Sequence, residues 1–216
     1  MHKYDLIIFD MDGTILDTLT DITASLNWVL DKFSFPQHSF EQVRGYVGNG
    51  ARTLFVKALG DSASNEQIDE MVKEFKIYYK EHCQDKTAPY NGIMDLLKEL
   101  HNKGFKLAVV SNKPNESVQV LVEKYFDNIF DFALGESENV ARKPAPDMVN
   151  LCLNHFNIDK DRAVYIGDSD VDYMTSVNSG LDQILVTWGF KDLEFLKTFN
   201  AMNYVNTPDE ILHILL

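Results

Sequence analysis

Asp5-Leu6-Ile7-Ile8-Phe9-Asp10-Met11-Asp12-Gly13-Thr14 is a short apolar, β-branched run that stops on two aspartates and a glycine. Four later runs have the same form: Lys106 to Val110, Phe132 to Leu134, Ala163 to Ile166 and Gln183 to Val186. Each ends in a polar cluster, and together they read as parallel strands buried on both faces. Segments of helical period accompany them at Ile93 to Lys103, Asn115 to Tyr125 and Asp147 to Phe156, with Gly104 placed as a C-cap and Pro146 early in its helix. Strand alternating with helix predicts an α/β fold, a Rossmann-like doubly wound parallel sheet.

From about Thr18 to Cys83 the alternation breaks. This stretch is long and helix-patterned, interrupted only by turn signals at Phe35-Pro36, Gly45 to Gly50 and Gly60 to Asn65. The expected organisation is a catalytic core of residues 1–17 and 84–216 with a helical cap, 18–83, inserted after the first strand. Such an insert stands over the carboxyl edge of the sheet, where doubly wound proteins bind ligands, and a cap there acts as a lid.

Composition narrows the function. The chain has 216 residues, 45% of them hydrophobic, enough for one large domain or a medium one carrying an insert. Twenty Lys and Arg against 33 Asp and Glu give a net charge of -13, a surface that repels nucleic acid and anionic membranes. Met1 to Phe9 shows no basic leader followed by a long apolar run, so no signal peptide is expected and the expected location is cytoplasmic. Cys83 and Cys152 lie far apart and the six histidines show no HxH or HxxxH spacing, which argues against redox and zinc chemistry.

The acidic strand ends carry the chemistry. Asp10 and Asp12, two apart on extended backbone, point to the same side, and Gly13 allows a sharp turn immediately after. A single Asp at a strand end is often a turn former or helix N-cap, and Asp17 beside Thr18 is better placed for that role. A pair is poorly explained that way. The fourth run ends Gly167-Asp168-Ser169-Asp170-Val171-Asp172, again acidic. Carboxylates gathered in one crevice repel unless a cation joins them, and oxygen ligands without sulfur or imidazole suit Mg²⁺. Ser111, Asn112 and Lys113 follow the second run, and Arg142-Lys143-Pro144-Ala145-Pro146 precedes a helix. Lys143 is the better candidate cation, because Pro144 and Pro146 stiffen its backbone, whereas Lys113 is expected to project to solvent.

Taken in order, Asp10-Met11-Asp12-Gly13-Thr14, Ser111, Lys143 and Gly167-Asp168 with Asp172 resemble the four motifs of haloacid dehalogenase superfamily phosphatases over essentially the whole chain. The resemblance implies Asp10 as nucleophile and metal ligand. It implies Asp12 as general acid and base, lending its backbone carbonyl to Mg²⁺, and Asp168 as a direct ligand. Ser111 and Lys143 would grip the phosphoryl oxygens with backbone amides from Met11 to Gly13 and from Asn112. Thr14 and Asp172 would support the site, Asp172 either through a metal-bound water or by holding Lys143. The superfamily's dehalogenases lack the second Asp of the pair, which argues against dehalogenation.

The loop Arg44-Gly45-Tyr46-Val47-Gly48-Asn49-Gly50 is similar to one in phosphoglycolate phosphatase-like members. Gly48 and Asn49 would let backbone approach a small ligand, and Arg44 or Arg52 could pair with a substrate carboxylate. The implied activity is Mg²⁺-dependent hydrolysis of a small phosphorylated metabolite, phosphoglycolate first, by a monomer or homodimer. Rival readings are a sugar-phosphate or nucleotide phosphatase, a pyrophosphatase, a β-phosphoglucomutase-like enzyme, or a non-catalytic phosphometabolite-binding or regulatory protein.

Overall fold

The computed structural model describes residues 2–216. In chain order the elements are β1 (Leu6–Phe9), β2 (Leu16–Asp17), α1 (Leu19–Lys32), α2 (Phe40–Tyr46), α3 (Gly50–Leu59), α4 (Asn65–His82), β3 (Ala88–Pro89), α5 (Ile93–Asn102), β4 (Lys106–Pro114), α6 (Asn115–Tyr125), β5 (Phe132–Glu136), α7 (Asp147–Phe156), β6 (Ala163–Gly167), α8 (Asp170–Ser179), β7 (Asp182–Val186), α9 (Leu193–Leu196), β8 (Asn203–Val205) and α10 (Pro208–Leu215). Six strands form one parallel sheet in the order β5-β4-β1-β6-β7-β8.

Every residue of β1 is buried, because helices cover both faces of the sheet. Ile7 and Phe9 join α5, α6 and α10 in one apolar layer, while Leu6 and Ile8 join α7 in the other, as the two-residue period of a strand requires. Each such side chain stabilises the fold by about 1.5–3 kcal/mol through burial alone. The chain runs from β1 to β4 and β5 on one side of the sheet, then crosses to β6, β7 and β8 on the other. That reversal opens a crevice at the carboxyl end of β1. Phe9 is in register with Val109 on one neighbour and Ile166 on the other, so three polar strand ends share one edge. The β4–β5 ladder is interrupted between Val110 and Pro114, which frees Ser111, Asn112 and Lys113 from regular pairing at that edge.

Residues 19–82 form four α-helices and a short 3₁₀ turn. Leu19, Ile22, Leu26, Val29 and Leu30 on α1, and Ile68, Met71, Phe75 and Tyr79 on α4, recur at helical spacing; these two helices pack together, and Phe55 of α3 packs edge-on against Phe75 of α4. Ser39 with Gln42 and Ser64 with Gln67 close capping boxes that start α2 and α4. The chain leaves the sheet through β2 and returns through β3, an antiparallel ribbon in which Asp17 faces Ala88. Asp21, buried in the first turn of α1, accepts bonds from the backbone N–H groups of Lys86 and Thr87 and from the Thr87 hydroxyl. Asp17 itself is exposed and caps nothing; Thr18 takes the N-cap position of α1 without a side-chain bond. Lys76 with Glu136 and Lys80 with Glu116 tie α4 to the sheet domain across the cleft.

Candidate active site

Asp10, Asp168 and Asp172 offer carboxylate oxygens that lie within 4.8 Å of one another on the floor of the crevice, all three residues buried. The Asp10 N–H donates to Ile166 O at 2.8 Å, so the β1–β6 pairing itself fixes this residue. Lys143 Nζ stands 2.8 Å from both Asp10 Oδ1 and Asp172 Oδ1 and donates to the Tyr165 hydroxyl. Burial opposes the charge of Lys143, but Asp10 and Asp172 outweigh it and hold the ammonium above the usual lysine range. Burial, and then the charge of Asp172, push Asp10 up to about 7 despite Lys143. Burial, with Asp172 and Asp10, likewise raises Asp168 well above the carboxylate range. One ammonium among three buried carboxylates leaves the floor short of positive charge.

A divalent cation fits that deficit, and the bonding of each carboxylate separates ligands from supports. Asp172 is fully engaged: Oδ1 accepts from Lys143 and Tyr165, and Oδ2 accepts from the Asp168 and Ser169 N–H groups and the Ser169 hydroxyl. Asp168 Oδ1 accepts from the Thr14 hydroxyl and Oδ2 from the Phe190 N–H, leaving lone pairs on both oxygens. Asp10 Oδ1 is buried and receives no well-directed hydrogen bond, although Lys143 is close. Asp10 and Asp168 are therefore the carboxylates with capacity for a cation, and the geometry of Asp172 matches the holding of Lys143. Two glycines let Asp168 sit so near: a Cβ on Gly13 or Gly189 would fall 2.4 or 2.3 Å from Asp168 Oδ2.

Lys113 does not project to solvent. Its side chain is 1% exposed, its Nζ lies 2.7 Å from Asp12 Oδ1, and it donates to the hydroxyl of Tyr79 on α4. A lysine stem buries readily when its head finds an anion, and the second Asp of the pair provides one. Ser111 is buried and lines the cleft, whereas the Asn112 amide donates to Gly48 O and Lys143 O and so stitches the insert to the floor.

The cleft above is roofed by the helical insert. Ile22, Val47, Gly48, Gly50, Ala51, Leu54, Phe75 and Tyr79 face Asp10, Asp12, Ser111 and Asp168 across a partly open space of about 60 Å³. Neither arginine singled out in the sequence lines it. Arg44 pairs with Asp192 at 3.0 Å, and Arg52 turns along the insert to Asp69 and Asn65. Asn49 starts α3 and is likewise absent from the cleft wall, whereas Gly48 belongs to it. Sequence reasoning missed the segment after β7: Trp188 Nε1 donates to Thr14 O, the Phe190 N–H to Asp168, and Phe190 and Lys191 line the cleft. Its position past a strand end was the available signal.

Residues 7–186 match the model of a family described as haloacid dehalogenase-like hydrolase. Among curated relatives, a phosphoglycolate phosphatase of Caulobacter vibrioides is 34% identical, covering 90% of this chain and 84% of its own. One from Mannheimia succiniciproducens is 32% identical over 87% and 88%. The crystal structure of a candidate phosphoglycolate phosphatase from Lactobacillus delbrueckii subsp. bulgaricus superposes with a TM-score of 0.91 at 41% identity, covering 99% of each chain.

Proposed function

Because the chain belongs to the haloacid dehalogenase-like hydrolase family, we propose that it is a metal-dependent phosphatase that passes the phosphoryl group of a small phosphomonoester to Asp10 and then to water. The observation that carries this reading is Asp10 itself, a buried carboxylate at the floor of a roofed cleft, with Lys143 2.8 Å away and Asp168 beside it. A carboxylate approaching a phosphate dianion to ~4 Å meets a repulsion of roughly 8 kcal/mol at an effective dielectric near 20, about six decades in rate. Lys143 offsets part of it. Mg²⁺, held by Asp10, Asp168 and the backbone carbonyl of Asp12, supplies the remaining positive charge when bound.

Asp10 attacks phosphorus in line and becomes an aspartyl-phosphate, while Asp12 gives its proton to the departing oxygen. Asp12 then takes a proton from the water that attacks phosphorus and frees Asp10. Ser111, Lys143 and the amides of Met11 to Gly13 and of Asn112 hold the phosphoryl oxygens through both halves, with Gly13 giving the backbone its turn. Asp172 keeps Lys143 in place, and Thr14 orients Asp168. The core is residues 1–17 and 84–216 and the cap 18–83, a division supported by the paired exit and return at β2 and β3. The cap excludes water during the reaction.

2-Phosphoglycolate is the leading substrate, supported by the curated relatives. Hydrolysis of para-nitrophenyl phosphate and 2-phosphoglycolate with and without Mg²⁺ tests the activity, and an isotopically chiral phosphate ester tests the path. Two in-line displacements give net retention at phosphorus; inversion would reduce Asp10 to a metal ligand.

A further inference from the structure

The roof of the cleft is apolar where a leaving group would lie, with Val47, Ala51, Leu54 and Phe75 from the cap. A charged leaving group set against such side chains needs a counter-charge from elsewhere. Two lysines line the cleft. Lys113 is occupied by Asp12. Lys191 is half-buried and makes neither an ion pair nor a side-chain hydrogen bond among the described residues. We infer that Lys191 is the specificity-determining residue, its ammonium the receptor for a carboxylate on the alcohol that departs.

The backbone around Lys191 holds it against the reaction centre. On one side the Phe190 N–H is bonded 2.7 Å from Asp168 Oδ2, and the approach of Gly189 to the same carboxylate leaves no room for a Cβ. On the other, Asp192 accepts from Arg44 of α2 in a solvent-exposed pair that adds little to the hold. The backbone that carries Lys191 is thus anchored next to Asp168. Lys57 of α3 lies near it across the cleft edge: partial burial, and next the charge of Lys191, hold Lys57 below the usual lysine range. The two cations thus repel each other, and Lys191 gains from an anionic partner. An incoming carboxylate supplies one. Arg44 and Arg52, the cap cations suggested by sequence, are bound to Asp192 and Asp69 and do not reach the cleft wall.

The inference rests on the phosphatase reading and is tested on three esters that share a two-carbon frame and differ in terminal charge: 2-phosphoglycolate, 2-hydroxyethyl phosphate and 2-aminoethyl phosphate. The wild type prefers them in that order by kcat/KM. In Lys191→Met the ratio of kcat/KM for the carboxylate over the hydroxyl ester falls about tenfold or more, the worth of one hydrogen bond to a charged group, chiefly through KM. In Lys191→Glu the two charged esters exchange rank. Arg44→Ala and Arg52→Ala keep the wild-type ratio. A wild type that hydrolyses none of the three overturns the phosphatase reading and the inference with it. A wild type active on all three without charge preference overturns the role of Lys191 alone. So does a Lys191→Met variant with the wild-type ratio, or a ratio that collapses with Arg44 or Arg52 instead.

Discussion

Lys143 neutralises and is neutralised: its ammonium faces Asp10 and Asp172 at 2.8 Å each, with its side chain out of water. Replacing it by Met should do more than remove the phosphate ligand proposed above, because three carboxylates would then share a dry floor without a cation. Breaking a buried pair from one side costs about 3–5 kcal/mol, so Lys143→Met should lose activity and also unfold at lower urea, measured without metal and at neutral pH. A variant as stable as wild type would show that water reaches the floor. This residue was legible in the sequence from its stiff proline-flanked setting, and the aspartates from their spacing at strand ends. Lys113 was not. Nothing local distinguishes a lysine that snorkels to solvent from one drawn inward, since its partners Asp12 and Tyr79 are distant in sequence and meet it only when the cap is folded.

Among the elements, the turn after β7 fixes the Asp168 carboxylate through the Phe190 N–H, whereas β1 fixes the backbone of Asp10, whose N–H donates to Ile166 O. Gly189→Ala would put a methyl group 2.3 Å from Asp168 Oδ2. The expected result is a displaced Asp168, seen as a raised Mg²⁺ concentration for half-maximal activity and a lower Tm. Wild-type metal dependence would mean that the turn yields freely. The five strands read from sequence match β1 and β4 to β7 within a few residues at their ends, because buried parallel strands are written as unbroken apolar runs. β2, β3 and β8 are two or three residues long, too short to carry a period. α8 escaped for another reason: most of its buried positions are Asp172, Thr175, Ser176 and Ser179, so the face turned inward has few apolar residues to count. The cap helices were legible as a block from their spacing, but the direction of Arg44 and Arg52 depends on tertiary partners and was not.

At the scale of the molecule, the charge held on the floor links stability to pH and metal. Asp10 is raised from the usual carboxylate range up to about 7, so between pH ~4 and ~7 the folded chain binds more protons than the unfolded one. Without metal this group therefore lowers stability as pH rises through that window, and Asp168 acts in the same sense. A cation that requires both carboxylates ionised competes with those protons. Mg²⁺ should raise Tm by more at pH 8 than at pH 5.5, as read by differential scanning calorimetry; equal gains at the two pH values would place its binding elsewhere. No helix among the described residues is long and apolar enough to cross a membrane. The ribbon of β2 and β3 has a different reach. Since Asp17 lies opposite Ala88, everything between them is a detour that ends where it began, and Asp21 clasps its two mouths together through Thr87. The register of the six strands owes nothing to the length of that detour. The insert can therefore lengthen, shorten or change shape without shifting the aspartates beneath it, which keep their stations.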